Sequence, residues 1–570
     1  MKKIHVSRIG VLYAVIIIAA FVLLSKLFVV QVMHGSLYKQ EAGDQYVAYK
    51  SYIFDRGSIY FEKKDGTRIS AATLRSGYTL VIDPSNITDA EAVYNQLSKI
   101  VEIDKDTFFA RADKKDDPYE EISKRLDSET KKKIEELEIE GVFLVQEKWR
   151  FYPADELASH TLGFVGYKED VLAGRYGLER FYDDILRRGE NKLYVNFFAE
   201  VFSNVSNLLK INSRNNREGD VVTTIDPSVQ QTLRNTLQDL REKWDAEVVG
   251  GIVIDPQTGF VYGLSAYPDF DPNSFNTVED QAVFSNPLVE KVYEMGSIVK
   301  PLTMAIGLDL NKVRYDSTYN DKGYVILNEA RIENYDGKGR GVVSMQEVLN
   351  QSLNTGAVHV MQEVGKDKFR EYMYAFGMAD RSGVDLPNDT RGLARNLESK
   401  YDIEYATVSF GQGIAITPFT MVRALSTLAN GGLLITPRVV KEIDYAFGFP
   451  QELDVDEPKR VLKPETSDEI SRMLVEVVDS ALLGGTVKMD GYSIAAKTGT
   501  AQIADPEGGY HDDKYLHSFF GYFPAYDPRF LVFLYTVDPK EVRYASQTLT
   551  FPFMDMTKFL INYYNIPPDR

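Results

Sequence analysis

A long apolar run near the N-terminus constrains the architecture of this 570-residue chain more than any other feature. Residues 9–24 read IGVLYAVIIIAAFVLL, and the run resumes at residues 27–32 after one serine and one lysine. A helix of this length spans a hydrocarbon core of about 30 Å. The alternative is a cleaved signal peptide, but the small residues that a cleavage site needs, Ala19 and Ala20, lie inside the run. The sequence therefore predicts an uncleaved transmembrane helix over residues 9–32.

The charges ahead of this run predict its orientation. Lys2, Lys3 and Arg8 precede it, and basic residues mark the cytoplasmic flank of a membrane span. We expect residues 1–8 to form a cytoplasmic tail. The chain beyond about residue 33 is then extracytoplasmic, held by a single span in the cell (inner, cytoplasmic) membrane.

Composition excludes several classes of function. The chain carries 65 Lys and Arg against 83 Asp and Glu, a net charge of -18, without a basic stripe interleaved with aromatics, so we expect no nucleic-acid partner. It has no cysteine, hence neither a disulfide nor a thiol nucleophile. Its six histidines are scattered without an H-E-x-x-H pair, which argues against a metal site or a histidine-based triad. The chemistry must come from other residue types.

Residues 40–220 are predicted to form an accessory domain. Short strand-like segments occur at 78–82 and 142–146. Between them, residues 119–140 are rich in Glu, Lys and Asp, and we interpret this stretch as a solvated helical segment. A polar stretch without hydrophobic periodicity, NSRNNREG at 212–219, predicts the domain boundary.

Residues 221–570 are predicted to form a second domain, of the α+β class. A helix is expected over 226–244, followed by a hairpin of strands at 248–254 and 260–266 around the turn DPQTG. Later apolar segments indicate an antiparallel sheet with helices on its faces. The helices are expected at 302–310, 345–351 and 419–429, and the strands at 492–496, 518–522 and 530–537.

The segment EMGSIVKP places Ser297 and Lys300 in an S-x-x-K motif. Two other copies begin at Ser36, beside the predicted membrane helix, and at Ser128, in the charged stretch. Gly296 allows a tight turn, so Ser297 is predicted at a helix N-terminus, where free N–H groups favour developing negative charge. Apolar neighbours of Lys300 would favour a neutral amine that accepts the serine proton. The alternative is a capping serine beside an unrelated surface lysine.

Two further motifs are weak when taken alone. Ser352 and Asn354 form an S-x-N after a short helix with a capping box, and S-x-N also occurs at Ser213 and Ser274. A hydroxyl and an amide on one short loop can relay a proton and grip a peptide. Residues 497–500 read K-T-G-T after a strand pattern, where an amine and two hydroxyls make a site for a carboxylate. The alternative for this last motif is an ordinary strand end with a turn.

The order S-x-x-K, S-x-N, K-T-G is the signature of penicillin-binding proteins and serine β-lactamases. Over nearly all of its length the chain resembles a class B penicillin-binding protein, a membrane-anchored peptidoglycan D,D-transpeptidase. Residues 56–59 resemble the family's R-G-x-I element, residues 177–179 its G-L-E element, and residues 409–413 its G-Q-G segment. Met295 departs from the family pattern, which usually has proline there. The resemblance implies an elongated, dimerisation-like pedestal over 40–220 and a penicillin-binding transpeptidase domain beyond it.

The resemblance also implies roles for individual residues. Ser297 attacks a stem peptide that ends in D-Ala-D-Ala, D-Ala leaves, and an amine from a second strand resolves the acyl-enzyme. Lys300 is the activating base, and the backbone N–H groups of Ser297 and Thr500 hold the oxyanion. The remaining roles are a proton relay by Ser352, a grip on the acyl amide by Asn354, and a carboxylate site made by Lys497, Thr498 and Thr500 around Gly499. No metal or organic cofactor is required.

The family further implies partners and leaves alternatives open. β-Lactams are expected as inhibitors, and a membrane lipid II polymerase and divisome proteins as partners. The residue sequences of the motifs and the 570-residue length look more like those of the family's cell-division member, so a role in septal wall synthesis is expected. An elongation-specific transpeptidase, a D,D-carboxypeptidase, a β-lactamase and a catalytically silent scaffold of the same fold are the alternatives.

Overall fold

The structure, a computed structural model, describes Ile17 and residues 54–169, 171–188, 218–445, 450–453 and 457–570. The predicted cytoplasmic tail and all of the predicted transmembrane helix except Ile17 lie outside the described residues, and so does most of the predicted boundary at 212–219. Within the described part of the chain, no helix has both the length and the apolar character needed to cross a membrane.

The strands are numbered in chain order. They are β1 (Ile59–Glu62), β2 (Arg68–Ile82), β3 (Glu120–Leu126), β4 (Val142–Phe151), β5 (Val165–Lys168), β6 (Val171–Gly174), β7 (Gly219–Thr223), β8 (Val248–Ile254), β9 (Val261–Tyr267), β10 (Thr318–Asp321), β11 (Tyr324–Leu327), β12 (Ala330–Glu333), β13 (Gly341–Ser344), β14 (Leu433–Leu434), β15 (Val440–Tyr445), β16 (Gln451–Glu452), β17 (Lys459–Arg460), β18 (Ala495–Ala504), β19 (Tyr510–Phe523) and β20 (Phe530–Val537).

The α-helices are identified by their bounds. They are Ala90–Leu97, Lys105–Ala112, Ser128–Glu135, Ser159–Leu162, Gly177–Phe181, Asp183–Leu186, Pro227–Trp244, Pro287–Glu290, Lys300–Asp309, Met345–Asn350, Asn354–Val364, Lys366–Ala375, Asp402–Ser409, Pro418–Ala429, Pro464–Glu476, Ala545–Thr548 and Thr550–Tyr564. The predicted helix at 226–244 is confirmed within one residue.

The chain divides into two compact units, and the smaller one comprises residues 76–149. Here β2 pairs with β3 and β4, and three short helices enclose a core that includes Leu80, Leu97 and Phe108. Each of these helices begins after an aspartate whose carboxylate accepts a hydrogen bond from a first-turn N–H, a favourable N-cap. These aspartates are Asp89, Asp104 and Asp127.

The helical interpretation of 119–140 is wrong for its first third. Residues 120–126 form strand β3, antiparallel to β2, and only Ser128–Glu135 is helical. Asp127 caps that helix and so separates the two elements. Strand formation here depends on pairing with β2, which local composition does not reveal.

The larger unit comprises residues 55–75 and 150–570, and its main sheet has the strand order β18-β19-β20-β8-β9, antiparallel throughout. Central strand β20 is buried on both faces. Leu534 lies in a cluster with residues of helices Pro227–Trp244 and Thr550–Tyr564, whereas the neighbouring Phe533 lies in the cluster that includes helix Lys300–Asp309. The predicted antiparallel sheet with helices on its faces is therefore confirmed.

A buried glutamine joins helix Pro227–Trp244 to edge strand β9. Gln230 donates from Nε2 to the carbonyl of Leu264 at 2.9 Å and accepts from the N–H of Leu264 at 2.9 Å. The side chain thereby satisfies both backbone groups of a residue on the edge of the sheet.

The R-G-x-I and G-L-E elements meet in a buried ion cluster of the larger unit. Arg56 Nε donates to Glu179 Oε2 at 2.6 Å, and Arg150 Nε donates to Glu179 Oε1 at 2.5 Å. Arg56 also donates to Asp183 Oδ1 at 2.7 Å. The carboxylate of Glu179 is fully buried, and its two guanidinium partners supply the compensation that a buried charge requires.

The predicted accessory domain at 40–220 contributes residues to both compact units, and its boundary stays a prediction. Leu162, Phe164 and Leu178 share a hydrophobic cluster with Phe270 and Phe284 from beyond residue 220. Residues 150–188 therefore belong to the same compact unit as the main sheet.

Candidate active site

Ser297 lies in a short turn of 3₁₀ helix, Gly296–Val299, that leads directly into helix Lys300–Asp309. Gly296 has φ +63°, and a Cβ at this position would lie 2.9 Å from the carbonyl oxygen of Thr500. Both the backbone conformation and the close approach of β18 therefore require glycine. The prediction that Ser297 occupies a helix N-terminus is confirmed.

The G-Q-G segment packs behind this turn. The N–H of Gly296 donates to the carbonyl of Gly411 at 3.0 Å. Gly411 has φ +85°, and a Cβ there would lie 2.1 Å from the carbonyl oxygen of Gly296. From β19, the hydroxyl of Ser518 donates to the carbonyl of Met295 at 2.7 Å. The backbone on the N-terminal side of Ser297 is thus held from two sides.

Glu294 adds a side-chain link that the sequence motifs do not predict. Its carboxylate accepts from the N–H of Gly413 at 2.9 Å and from the hydroxyl of Tyr510 at 3.0 Å. Burial raises the pKa of Glu294. This residue therefore joins the segment before Ser297 to the G-Q-G segment and to the start of β19.

Lys300 is almost completely buried, with 2% of its surface exposed. Its Nζ donates to the main-chain oxygen of Ser352 at 2.6 Å and to Ser352 Oγ at 3.2 Å. Burial, and then the nearby amine of Lys497, hold the pKa of Lys300 well below its usual value. Among the described residues, no hydrogen bond joins Lys300 to Ser297, so direct proton transfer between them stays a prediction.

Ser352 sits between helices Met345–Asn350 and Asn354–Val364 in a left-handed backbone conformation, with φ +53°. A non-glycine residue held this way carries strain of about 1–2 kcal/mol, and such strain is common where a site imposes geometry. The amide of Asn354 donates to the carbonyl of Glu333 at 2.8 Å.

Lys497 approaches Ser352 from the sheet side. Its Nζ donates to Ser352 Oγ at 3.0 Å and to the carbonyl of Thr498 at 3.1 Å. Burial lowers the pKa of Lys497 to about 7. The S-x-x-K, S-x-N and K-T-G motifs therefore converge on one hydroxyl, which accepts hydrogen bonds from both lysines.

The K-T-G motif lies inside β18, which corrects the expectation that it follows a strand ending at residue 496. The strand continues because it pairs with β19 over most of its length. Thr498 and Thr500 are two residues apart and share a face that lines a cleft. Gly499 faces the other way, and a Cβ there would lie 2.6 Å from the carbonyl oxygen of Met295.

The cleft has a volume of about 480 Å³ and contains Ser297, Ser352, Asn354 and Lys497 along its walls. No aspartate or glutamate occurs among the described residues that line it. In the same described ranges, no group of three or more His, Asp or Glu side chains is placed to hold a metal ion. The site can therefore offer amines, hydroxyls, amides and backbone N–H groups to a substrate.

Two family models match the chain. The model described as the penicillin binding protein transpeptidase domain matches residues 249–555, and the penicillin-binding protein dimerisation domain matches residues 55–223. The chain belongs to the class B penicillin-binding proteins.

Similar proteins are known for this penicillin-binding protein over almost its whole length. Stage V sporulation protein D of Bacillus subtilis is 29% identical over 94% of this chain and 82% of that protein. The peptidoglycan D,D-transpeptidase FtsI homolog of Mesostigma viride is 26% identical, covering 99% of this chain and 96% of its own.

Solved structures show the same fold. Penicillin binding protein 2X of Streptococcus thermophilus superposes with a TM-score of 0.73 at 18% identity, covering 90% of this chain and 81% of that one. Penicillin binding protein 3 of Mycobacterium tuberculosis, complexed with aztreonam, gives a TM-score of 0.68 at 21% identity and covers 91% of this chain and 98% of its own.

Several residues that line the cleft of this penicillin-binding protein were not predicted. Tyr335 and Tyr544 reach the cleft from segments far apart in the sequence, and their ring centroids are 6.0 Å apart. Gln412 lies within the G-Q-G segment, so that motif could have indicated its place in the cleft. The other polar or charged side chains missed are Asn350, Gln351, Gln502, Tyr515, Arg543 and Ser546.

Proposed function

We propose that this class B penicillin-binding protein is a serine-type peptidoglycan D,D-transpeptidase, which cross-links stem peptides ending in D-Ala-D-Ala through an acyl-enzyme on Ser297. The observation that carries this proposal is the convergence of three motifs on one cleft. Ser297 lines that cleft, and Lys300 and Lys497 both donate to the hydroxyl of Ser352 on its wall.

Hydrogen bonding at Lys300 supports its role as the base. A neutral amine has two N–H donors and one lone pair, and both contacts of Nζ are to oxygen atoms of Ser352. The lone pair is then free to accept the proton of Ser297 as Oγ attacks the penultimate carbonyl. The depressed pKa of the Lys300 amine favours this neutral form before attack.

The hydroxyl of Ser352 suits it to deliver the proton onward. A serine oxygen accepts two hydrogen bonds and donates one. Both acceptor positions are taken, by Lys300 and Lys497. Its O–H is therefore directed elsewhere, toward the cleft, where it gives a proton to the departing amine of D-Ala and is replenished from Lys300.

The acyl-enzyme is then resolved by an amine rather than by water. Rapid deacylation by water is helped by a dedicated carboxylate base beside the ester, and the described residues that line the cleft include no carboxylate. An incoming amine is the stronger nucleophile, so cross-linking is favoured over hydrolysis. For the same reason we expect β-lactams to acylate Ser297 and to be released slowly, which disfavours a β-lactamase and leaves D,D-carboxypeptidase activity as a side reaction.

A thioester donor tests the transferase activity directly. The protein is incubated with an acyl-D-alanyl thioester and increasing concentrations of D-alanine as the acceptor. We expect the fraction of amide product to rise with acceptor concentration in the wild type, and no thioester turnover in Ser297→Ala. If hydrolysis of the thioester is the only reaction at every acceptor concentration, the protein is instead a carboxypeptidase.

We also assign the protein to septal wall synthesis, with a lipid II polymerase and divisome proteins as its partners. The sequences of residues 294–301 and 409–413 and the 570-residue length support this assignment over a role in cell elongation. A fluorescent fusion distinguishes the two roles. A band at midcell is expected, whereas a signal spread along the lateral wall would indicate the elongation role.

The membrane anchor is part of the same proposal. The apolar run at 9–32 supports a single span, with the cleft on the extracytoplasmic side. Removal of residues 1–32 should release a soluble protein that still binds penicillin, because the three motifs lie in the larger compact unit. A truncated protein that stays in the membrane fraction would place the anchor elsewhere.

A further inference from the structure

The charge of the cleft is opposite to that of the chain. The protein carries a net charge of -18, yet the described residues that line the cleft include no acidic side chain. Two of them are basic, Lys497 and Arg543. A substrate that enters this cleft therefore encounters positive charge without a competing carboxylate, which favours an anionic ligand.

Lys497 is a poor candidate for binding that anion. It is 3% exposed, and its amine already donates to Ser352 Oγ and to the carbonyl of Thr498. Burial lowers its pKa to about 7, so much of its population is uncharged near neutral pH. Its contacts fit a residue that orients Ser352.

Arg543 has the opposite properties. It is exposed, lines the cleft and has no acidic partner within ion-pairing distance in the described part of the chain. Its guanidinium contacts the ring of the adjacent Tyr544, 5.5 Å from the centroid. A guanidinium remains charged throughout the physiological pH range and matches a carboxylate with two parallel N–H donors.

The backbone of Arg543 is fixed beside the K-T-G strand. The N–H of Ala545 donates to Thr500 Oγ1 at 3.1 Å. His517, which lies opposite Thr500 in the β18–β19 ladder, bonds through Nε2 to the carbonyl of Arg543 at 3.0 Å. Its Nδ1 lies 2.9 Å from the hydroxyl of Thr548. A carbonyl only accepts, so Nε2 carries a proton and donates to Arg543.

We propose that Arg543 is a specificity-determining residue that binds the terminal carboxylate of the acyl donor, together with the hydroxyls of Thr498 and Thr500. This proposal rests on the proposed transpeptidase function and reassigns the carboxylate from Lys497. The permanently charged guanidinium of Arg543 then lies at the cleft surface beside the K-T-G strand, and Lys497 aligns Ser352.

The test compares a β-lactam with and without its carboxylate. Rates of acylation at Ser297 are measured with benzylpenicillin and with its methyl ester, and their ratio reports recognition of the carboxylate. Arg543→Gln should lower that ratio by about ten- to a hundredfold, the range for a charged hydrogen bond, while the rate with the ester is unchanged. Arg543→Lys should restore part of it. The matched control is Arg529→Gln, an exposed arginine at the other end of β20 that does not line the cleft.

The outcomes separate the two proposals. If the wild type is acylated by neither compound, the transpeptidase function and the role of Arg543 both fail. If the wild type is acylated but Arg543→Gln keeps the acid-to-ester ratio, or loses both rates equally, only the role of Arg543 is overturned. The ratio should also be constant from about pH 6 to 8.5, because guanidinium does not titrate there. An acid-to-ester ratio that falls as pH rises through 7 would indicate that Lys497, not Arg543, binds the carboxylate.

Discussion

The amine of Lys300 lies 2.6 Å from the main-chain oxygen of Ser352 and 3.2 Å from its hydroxyl oxygen. This pairing fixes the amine by two donated hydrogen bonds and leaves one position on the nitrogen for the proton of Ser297. Ser352 offers its main-chain oxygen from a left-handed backbone conformation. The left-handed backbone of Ser352 and the orientation of the Lys300 amine are therefore linked through this hydrogen bond.

The two lysines should respond differently to replacement by arginine. Lys300→Arg places a permanent charge at this position and cannot act as a neutral base, so the acylation rate should fall by about a thousandfold or more, nearly as far as in Ser297→Ala. Lys497→Arg should retain a measurable fraction, since its role is to donate to Ser352. The measurement is the second-order acylation rate of each variant with a β-lactam. Activity that survives in Lys300→Arg and disappears in Lys497→Arg would assign the base to the other lysine.

Lys497 should reduce the stability of the fold near neutral pH. Its pKa is about 7 in the folded protein, against an ordinary value of 10.5. Above pH 10.5 the amine is neutral in both states. As pH falls the unfolded chain binds the proton first, so the free energy of unfolding decreases until pH 7 is passed. Lys497→Met, although inactive, should therefore be more stable at pH 7 by about 2–4 kcal/mol.

Urea unfolding of both proteins at pH 7 and at about pH 9.5 checks this sign. The stability difference between Lys497→Met and the wild type should shrink at the higher pH, because protonation of the amine stabilises the unfolded chain less as the pH approaches 10.5. A difference that grows with pH, or a variant less stable than the wild type at pH 7, would show that the buried amine is not a net burden on the fold.

Gly411 should be essential to the position of Ser297. Gly411→Ala introduces a Cβ that would lie 2.1 Å from the carbonyl oxygen of Gly296, whose N–H bonds the Gly411 carbonyl. We expect a loss of about 3 kcal/mol or more in stability and at least about a tenfold loss in acylation rate. The matched control is Gly431→Ala, where φ is also positive but nothing lies within 4 Å.

Gly431→Ala should cost about 1 kcal/mol, the penalty of the left-handed conformation alone, without a change in acylation. Thermal unfolding and acylation rates measure the two effects. Equal losses in both variants would mean that contact with the Ser297 turn is unimportant.

Glu179 should be required for stability rather than for chemistry. Its buried carboxylate pairs with Arg56 and Arg150, so Glu179→Gln leaves the buried guanidinium of Arg150 without its counter-charge and leaves Arg56 with Asp183 alone. We expect a loss of about 3–5 kcal/mol. The control is Glu129→Gln, which removes one exposed partner of Lys133 and should leave unfolding unchanged. A Glu179→Gln protein that unfolds like the wild type would contradict the structural role.

Local signals in the sequence account for much of this architecture. The helix at Pro227–Trp244 begins at a capping aspartate followed by proline, and both signals are local, so its start was predictable. The turn at Gly296 was predictable for the same reason. Strand β3 was not, because its charged residues form a strand only through pairing with β2.

The residues of the candidate site likewise include some that local sequence signals predict and some that depend on the folded structure. Ser297, Lys300, Ser352 and Lys497 belong to short motifs whose residue types reveal their chemistry. Arg543 belongs to no motif, and its place beside Thr500 depends on hydrogen bonds from Ala545 and His517 that only the folded sheet creates.

Intact mass spectrometry of the protein after exposure to benzylpenicillin, followed by peptide mapping, shows whether Ser297 is the acylated nucleophile. We expect one covalent adduct, on Ser297, that forms in the wild type and is absent from Ser297→Ala. An adduct that persists in Ser297→Ala, or that maps to Ser352, Ser36 or Ser128, would contradict it.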